Sequence, residues 1–309
     1  MSTPDREQNK EAPIVVVGSL NMDLVMRTPR VPVGGETLTG HEFSTLPGGK
    51  GANQAVACAR LGARVAMIGQ VGQDSFGKTL CDGLAADGVD IRGIRQDSNI
   101  GTGVAMILVE DIGQNRIVLA PGANGTLSPS DMDACVSVLQ QAAMLIVQLE
   151  VPLPVVQRAM EIAHAAGVPV LLNPGPAVPL PDSWWSKIDI LVPNETEASL
   201  LSGIAVNDVD SAFSAARVLR QRGVANVLIT LGANGVISVN KDGEHHHPAH
   251  VVKAVDTTAA GDTFIGGLAA GLAEGLCLDE AIAFGQRASA LCVSRHGAQP
   301  SIPWRRELG

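Results

Sequence analysis

Short runs of β-branched and aliphatic residues recur along the chain, at Ile14 to Val17, Val65 to Ile68, Leu145 to Val147, Val168 to Leu172, Ile188 to Val192, Val227 to Thr230 and Val236 to Val239. Most are separated by stretches whose apolar residues fall at helical spacing. Strand and helix in alternation are the signature of a parallel sheet with helical crossovers on its faces. Helix starts are marked by Ser128-Pro129, an N-cap ahead of a proline, and by Asp74-Ser75 and Asp279-Glu280. Residues 22–46 and 101–120 break the rhythm and read as alternating strands, the second with a turn near Asp111 to Gly113. The pattern predicts an α/β body with a small second sheet standing off it, which would cover a site or pair with another subunit, since sheet edges need protection. Internal repeats and low-complexity linkers are absent. One domain over residues 13–309 is therefore expected, behind a flexible polar tail at 1–12.

Composition narrows the class. The 309 residues are 46% hydrophobic, yet no apolar run reaches the length of a membrane span. The first dozen residues carry neither a signal-peptide core nor an Arg-rich amphipathic pattern, so a soluble, cytoplasmic protein is expected. A formal charge of −9 argues against a general nucleic-acid binder, which needs a basic face to displace counterions. The five cysteines are odd in number and widely spaced, mostly in apolar helical stretches, and read as reduced core residues. Aromatic residues are only 3%, leaving few side chains to stack on a base.

Several short motifs carry candidate chemistry. Pro47 to Gln54 (PGGKGANQ) places glycines at 48, 49 and 51 ahead of a helical run, so that backbone amides can approach a ligand at a helix N-terminus. It is neither a P-loop, since Gly51 follows Lys50, nor a dinucleotide fingerprint, since Gln54 stands in the last glycine's place. Ala259-Ala260-Gly261 delivers Asp262 to the start of a helix with Phe264, Leu268 and Leu272 on one face. There the carboxylate either complements the helix dipole or takes a proton from an attacking hydroxyl, beside amides suited to a phosphoryl group in transfer. Asn194 and Glu197 have capping-box spacing, and the same carboxylate at a strand end would suit a hydrated Mg²⁺. The turn after strand VLITL, Gly232 to Gly235, exposes backbone where open α/β sheets bind ligands, or is a plain β-turn. Asn21 and Asp23 share one strand face and can grip vicinal hydroxyls, as Glu150 can at the end of LIVQLE. His245-His246-His247 lies on a short strand or turn, where consecutive side chains cannot converge on one ion.

Together, GGKGANQA, NETE, TLGANG and DTTAAGDTF, in that order, resemble the ribokinase branch of the phosphofructokinase-B carbohydrate kinase family, over essentially Ile14 to Trp304. The resemblance implies a three-layer α/β/α sandwich with a mostly parallel central sheet and a small β-sheet lid. It implies that Asn21, Asp23, Gly49, Lys50, Asn53 and Glu150 hold a sugar, that Asp262 deprotonates its terminal hydroxyl, and that Ala259, Ala260 and Gly261 form an anion hole. Asn194 and the turn Thr230, Leu231, Gly232, Ala233, Asn234 and Gly235 match the ATP site, with Gly261 at the phosphates and Glu197 in the place associated with Mg²⁺ through water. Asp256, Thr258, Cys292, Arg295, Gly297 and Ser301 match a K⁺ site, several through backbone carbonyls. Gln286 departs from the pattern, standing near the adenine where some relatives carry histidine. The resemblance further implies lid closure on the sugar and a homodimer through the lid, with ATP and ribose as expected substrates. Kinases of another pentose, a nucleoside or a hexose phosphate would share the machinery, and a non-catalytic sugar-binding regulator would share the scaffold. A dinucleotide-dependent oxidoreductase shares only the α/β pattern.

Overall fold

The runs read as strands do assemble into one sheet, and two further strands that the apolar pattern does not mark complete its edges. The computed structural model describes residues 12–309, so all but the last residue of the expected tail lies outside the described part. In chain order the strands are β1 (Ile14–Val17), β2 (Asn21–Thr28), β3 (Glu42–Gly48), β4 (Val65–Gly72), β5 (Asp90–Asp97), β6 (Gly103–Glu110), β7 (Asn115–Ala120), β8 (Met144–Val147), β9 (Val170–Leu172), β10 (Ile190–Leu191), β11 (Asn226–Thr230), β12 (Val236–Asn240) and β13 (Gly243–His247). Nine of them form the main sheet, ordered β13-β12-β11-β10-β9-β8-β1-β4-β5. Its ladders are parallel from β5 to β11 and antiparallel only where β12 and β13 join.

Alternate residues of the central strands feed opposite cores. Val15, Val17, Leu145 and Val147 face one layer, which includes helices Leu153–Ala165 and Val209–Gln221. Ile14, Val16, Met144 and Ile146 face the other, with helices Lys50–Arg60, Ser75–Ala86, Ala260–Glu274 and Leu278–Cys292. Such two-sided burial is why these strands read as continuous apolar runs. The edges differ. β5 (DIRGIRQD) is charged and β13 carries the histidine tract, a composition that blunts an exposed edge against further pairing. His246 Nε2 lies 2.7 Å from the Asn234 carbonyl and His247 Nε2 3.0 Å from Ser238 Oγ, so the tract serves the edge.

The second sheet is ordered β3-β2-β6-β7. β2 pairs antiparallel with β3 and parallel with β6, in register from Asn21 opposite Gly48 and Gly103 outwards. Its strands occupy the two segments expected, with the turn at 111–114. Asp74, the N-cap of helix Ser75–Ala86, accepts from Gly77 N, Thr102 N and Thr102 Oγ1 at 2.7–2.8 Å, which ties the root of β6 to the main body.

Two local expectations need correction. Helix Leu278–Cys292 is capped at Cys277, whose amide donates to Glu280 at 3.0 Å, so Asp279-Glu280 falls inside the first turn. All five cysteines are free, but only Cys58, Cys81 and Cys292 are buried; Cys135 is half-buried and Cys277 exposed. Among the described residues, no helix is long and apolar enough to cross a membrane.

Candidate active site

Two helices and the root of the small sheet meet at the carboxyl ends of β1 and β8. Gly49, before helix Lys50–Arg60, has φ 89°, and a Cβ there would lie 2.7 Å from Asn21 N. Gly51 packs as closely, its hypothetical Cβ 2.6 Å from Ser19 N. These approaches press the start of the helix onto the chain just after β1, and only glycine permits them.

Asn53 and Gln54 then reach the head of helix Ala260–Glu274. Asn53 Nδ2 donates to Asp262 Oδ2 at 3.0 Å and Gln54 Nε2 to Asp262 Oδ1 at 2.9 Å. Each oxygen of the buried Asp262 carboxylate thus accepts one amide, while Asn53 Oδ1 is buried without a partner. Ala259, just before the helix, sits at φ 59°, the left-handed region that side chains avoid, and is the sole non-glycine with positive φ among the described residues. The first-turn amides of this helix point out of its N-terminus without intrahelical acceptors. Ala260 N is partly engaged by Thr257 O at 3.2 Å, and nothing lies within 4 Å of where a Gly261 Cβ would be.

Glu150, just beyond β8, accepts from Ser19 Oγ at 2.5 Å, Lys50 N at 3.1 Å and Asn21 Nδ2 at 3.5 Å. Asn124 Nδ2 in turn donates to Asn21 Oδ1 at 2.8 Å and to Leu20 O at 3.0 Å, and Asn124 Oδ1 accepts Leu20 N at 2.9 Å. Asp23, buried two residues along β2, is pushed up to about 7 by burial and by the charges of Glu150 and Asp262. Burial opposes the Lys50 charge, but Asp262, Glu150 and Glu197 outweigh it and hold the ammonium above its ordinary value. All the residues matched to the sugar therefore come together around Asp262.

On the far side of Asp262 and Lys50 opens a cleft of about 740 Å³. Asn194, Glu197, Thr230, Gly232, Ala233, Gly235, Gln286 and Ala259 to Asp262 line it. Leu231 and Asn234 do not: Leu231 is buried in the core and the Asn234 carbonyl meets His246. The capping box is complete, with Glu197 N to Asn194 Oδ1 and Asn194 N to Glu197 Oε2 both 2.9 Å. Burial raises the Glu197 carboxyl above its ordinary value. Glu197 Oε1 and Lys50 Nζ both crowd the open face of Gly175. Gln286 Nε2 donates to the carbonyls of His247 (2.8 Å) and Pro248 (3.2 Å), fastening the loop whose Val251 and Val252 wall the cleft. That aliphatic wall has no marker in the sequence beyond its apolar letters.

Asp256 ties its own loop to Gly297: Oδ1 accepts Thr258 N at 2.9 Å and Thr258 Oγ1 at 2.6 Å, and Oδ2 accepts Gly297 N at 2.9 Å. Cys292 Sγ lies 3.0 Å from Ser301 Oγ and 3.8 Å from Thr258 O. Arg295 turns its guanidinium to Glu307 at 2.7 Å, leaving only its backbone to this cluster.

Sequence reasoning missed Ser19, Asn124, Gln148 and Asn173, and read Gln54 only as a missing glycine. Gln148 Nε2 donates to Gln54 Oε1 at 2.6 Å, and Gln54 Nε2 reaches Asn173 Oδ1 at 3.3 Å. Ser19, Asn124, Gln148 and Asn173 are single polar letters beside a strand or in a turn, brought to the site by sheet order.

The model of the pfkB family carbohydrate kinases matches residues 11–305. The ribokinase of Haemophilus influenzae is 48% identical, with 95% of this chain and 96% of that protein covered. The deoxyribokinase of Salmonella typhi is 38% identical over 94% of this chain and 95% of its own. The structure of Arabidopsis thaliana ribokinase complexed with ribose and ATP superposes with a TM-score of 0.90 at 35% identity, covering 96% of this chain and 97% of that one. The fold, the gathered polar residues and this end-to-end likeness agree: the chain belongs to the pfkB family of carbohydrate kinases.

Proposed function

We propose that this carbohydrate kinase transfers the γ-phosphate of ATP to the 5-hydroxyl of D-ribose, giving ribose 5-phosphate, with Asp262 as general base. The observation that carries the reading is the position of Asp262. It stands at a helix head between the nucleotide cleft and the polar cluster of Asn21, Asp23, Asn53 and Glu150, with one oxygen each on Asn53 and Gln54. Ribokinases and a ribose–ATP complex among the relatives support the choice of both substrates.

In this mechanism the sugar hydroxyls bridge Asn21, Asp23 and Glu150, and the partnerless Asn53 Oδ1 accepts one of them, offsetting the cost of a buried unpaired acceptor. Asp262 takes the proton of the terminal hydroxyl as the hydroxyl oxygen attacks the γ-phosphorus in line, and the bond to the β–γ bridging oxygen breaks to release ADP. The amides of Gly261 and its neighbours and the Lys50 ammonium face the negative charge that develops, so positioning and electrostatics supply the rate. Glu197 would hold hydrated Mg²⁺ through water, its Oε1 free of the capping bond; such an ion neutralises phosphate charge. Asp256, Thr258, Cys292, Arg295, Gly297 and Ser301, several of them through backbone carbonyls, would supply the hard oxygens a K⁺ ion prefers; Asp256 already gathers Thr258 and Gly297 by hydrogen bonds.

The four-stranded sheet acts as a lid on a single domain and pairs with its counterpart in a homodimer. The exposed apolar side chains of Phe43, Met106, Ile117 and Val118 support that pairing. A cytoplasmic location completes the reading, where ATP is at hand. The deoxyribokinase relative favours 2-deoxyribose as a second acceptor. ADP release over ribose, deoxyribose, hexoses and nucleosides, with Na⁺ and then K⁺, separates these. In the same assay Asp262→Asn should lower kcat by about 10²–10⁴; a parent-like rate refutes the base.

A further inference from the structure

Gln54 has no part in the mechanism above, yet it is completely buried beside its reacting group. Its amide belongs to a chain whose direction is fixed from one end. The Val192 carbonyl can only accept, so Asn173 turns its Nδ2 to it at 2.9 Å and its Oδ1 towards Gln54. Gln54 must then present Nε2 to both Asn173 and Asp262, leaving Oε1 to accept from Gln148 Nε2 at 2.6 Å. Gln148 in turn points Oε1 at Gly18, where it is buried without a partner and where a Cβ would stand only 2.0 Å away. A buried unpaired oxygen is costly. The fold tolerates one at Gln148, and the outcome is a single permitted orientation of the Gln54 amide.

We infer that Gln54, oriented by Gln148 and Asn173, is a positioning residue that holds the Asp262 carboxylate as an acceptor aimed at the sugar hydroxyl. The inference rests on the reading of Asp262 as the base. Asn53 alone would leave the carboxylate free to swing about one bond; the second donor, on the other oxygen, fixes its plane. Gln54 touches no substrate, so its loss should fall on kcat, with KM for sugar and ATP nearly unchanged.

The test is steady-state kinetics on Gln54→Met, Gln54→Glu and Asp262→Asn, together with the double variant Gln54→Met/Asp262→Asn. Gln54→Glu keeps the acceptor for Gln148 but faces Asp262 with an acceptor, and it carries the test should Gln54→Met not fold. The single Gln54 variants are expected to lose roughly 10–100-fold in kcat, the worth of a charge-assisted hydrogen bond that orients a reacting group. In the Asp262→Asn background the same change should cost almost nothing, because residues acting as a unit are non-additive. An equal loss in both backgrounds marks a merely structural role and overturns the inference, as does a kcat within about twofold of the parent in folded Gln54 variants. If Asp262→Asn is crippled while Gln54→Met is not, the inference alone fails. If Asp262→Asn keeps the parent rate, the base assignment fails and the inference falls with it.

Discussion

The main sheet and the small sheet are built from similar proportions of apolar residue put to opposite uses. Every residue of β1, β4 and β8 is buried, and their side chains are locked between two helix layers. Every residue of β7 is exposed, and β2 runs from three buried residues at its root through half-buried ones to the exposed Arg27, before Thr28 is buried again. The residues placed at the chemistry follow this division. Asp262, Asn53 and Glu150 come from the packed body, whereas Asn21 and Asp23 come from the first turns of a sheet that has no core of its own. On the proposed mechanism, the group that takes the proton stands in the packed body, while Asn21 and Asp23 reach the sugar from the buried root of the small sheet.

Three changes sharpen this contrast, from the largest effect to the smallest. Leu145→Ala, in the completely buried centre of β8, should destabilise the protein by about 2–5 kcal/mol in urea unfolding. A loss below that range would mean that the body repacks more freely than its two-sided burial implies.

At the root of the lid, Asp23 should make unliganded stability depend on pH. Its carboxyl is raised from 3.8 to about 7, so its contribution is fully present below pH 3.8 and is lost as pH rises through about 7. Asp23→Asn removes that group. It should bind sugar more weakly, yet lack the parent's decline in Tm between pH 4 and 7, a difference of a few kcal/mol at most. Parallel pH–Tm curves for the two proteins would rule out the burial of charge at this position.

Smallest of all, Val118→Lys on the exposed face of β7 should change unfolding free energy by less than about 0.5 kcal/mol. The same variant should shift the mass measured by light scattering from dimer towards monomer. An unchanged mass would refute the proposed pairing through the small sheet.

Much of the body was legible because burial on both faces writes itself as unbroken apolar runs. β5 was not, and β13 could be read only as a short strand or turn, since edge strands carry the charges and histidines that prevent further pairing, and these letters also suit loops. At the site, the glycines before Lys50 and the small turn before Asp262 could be read, because a close approach demands those residue types. Asn124, Gln148 and Asn173 could not, since an isolated amide has no local signature; its meaning arises only when sheet order brings distant segments together. Leu231 and Asn234 illustrate the reverse: they lie within a correctly placed turn, yet one side chain turns into the core and the other residue's carbonyl serves the edge strand. Cys277 was misjudged for a similar reason, being the cap of a helix and not part of its buried face.

The parallel ladder between β2 and β6 carries one more consequence. Parallel neighbours cannot be joined by a hairpin, and here the connecting chain runs through β3, β4 and β5 and two long helices before it returns. The small sheet is therefore no cassette that can be cut out, transplanted or made as a separate peptide. Its two arms are held side by side through the main sheet, where β4 of the connecting chain pairs with β1, so the pairing of β2 with β6 is a long-range contact that depends on the body.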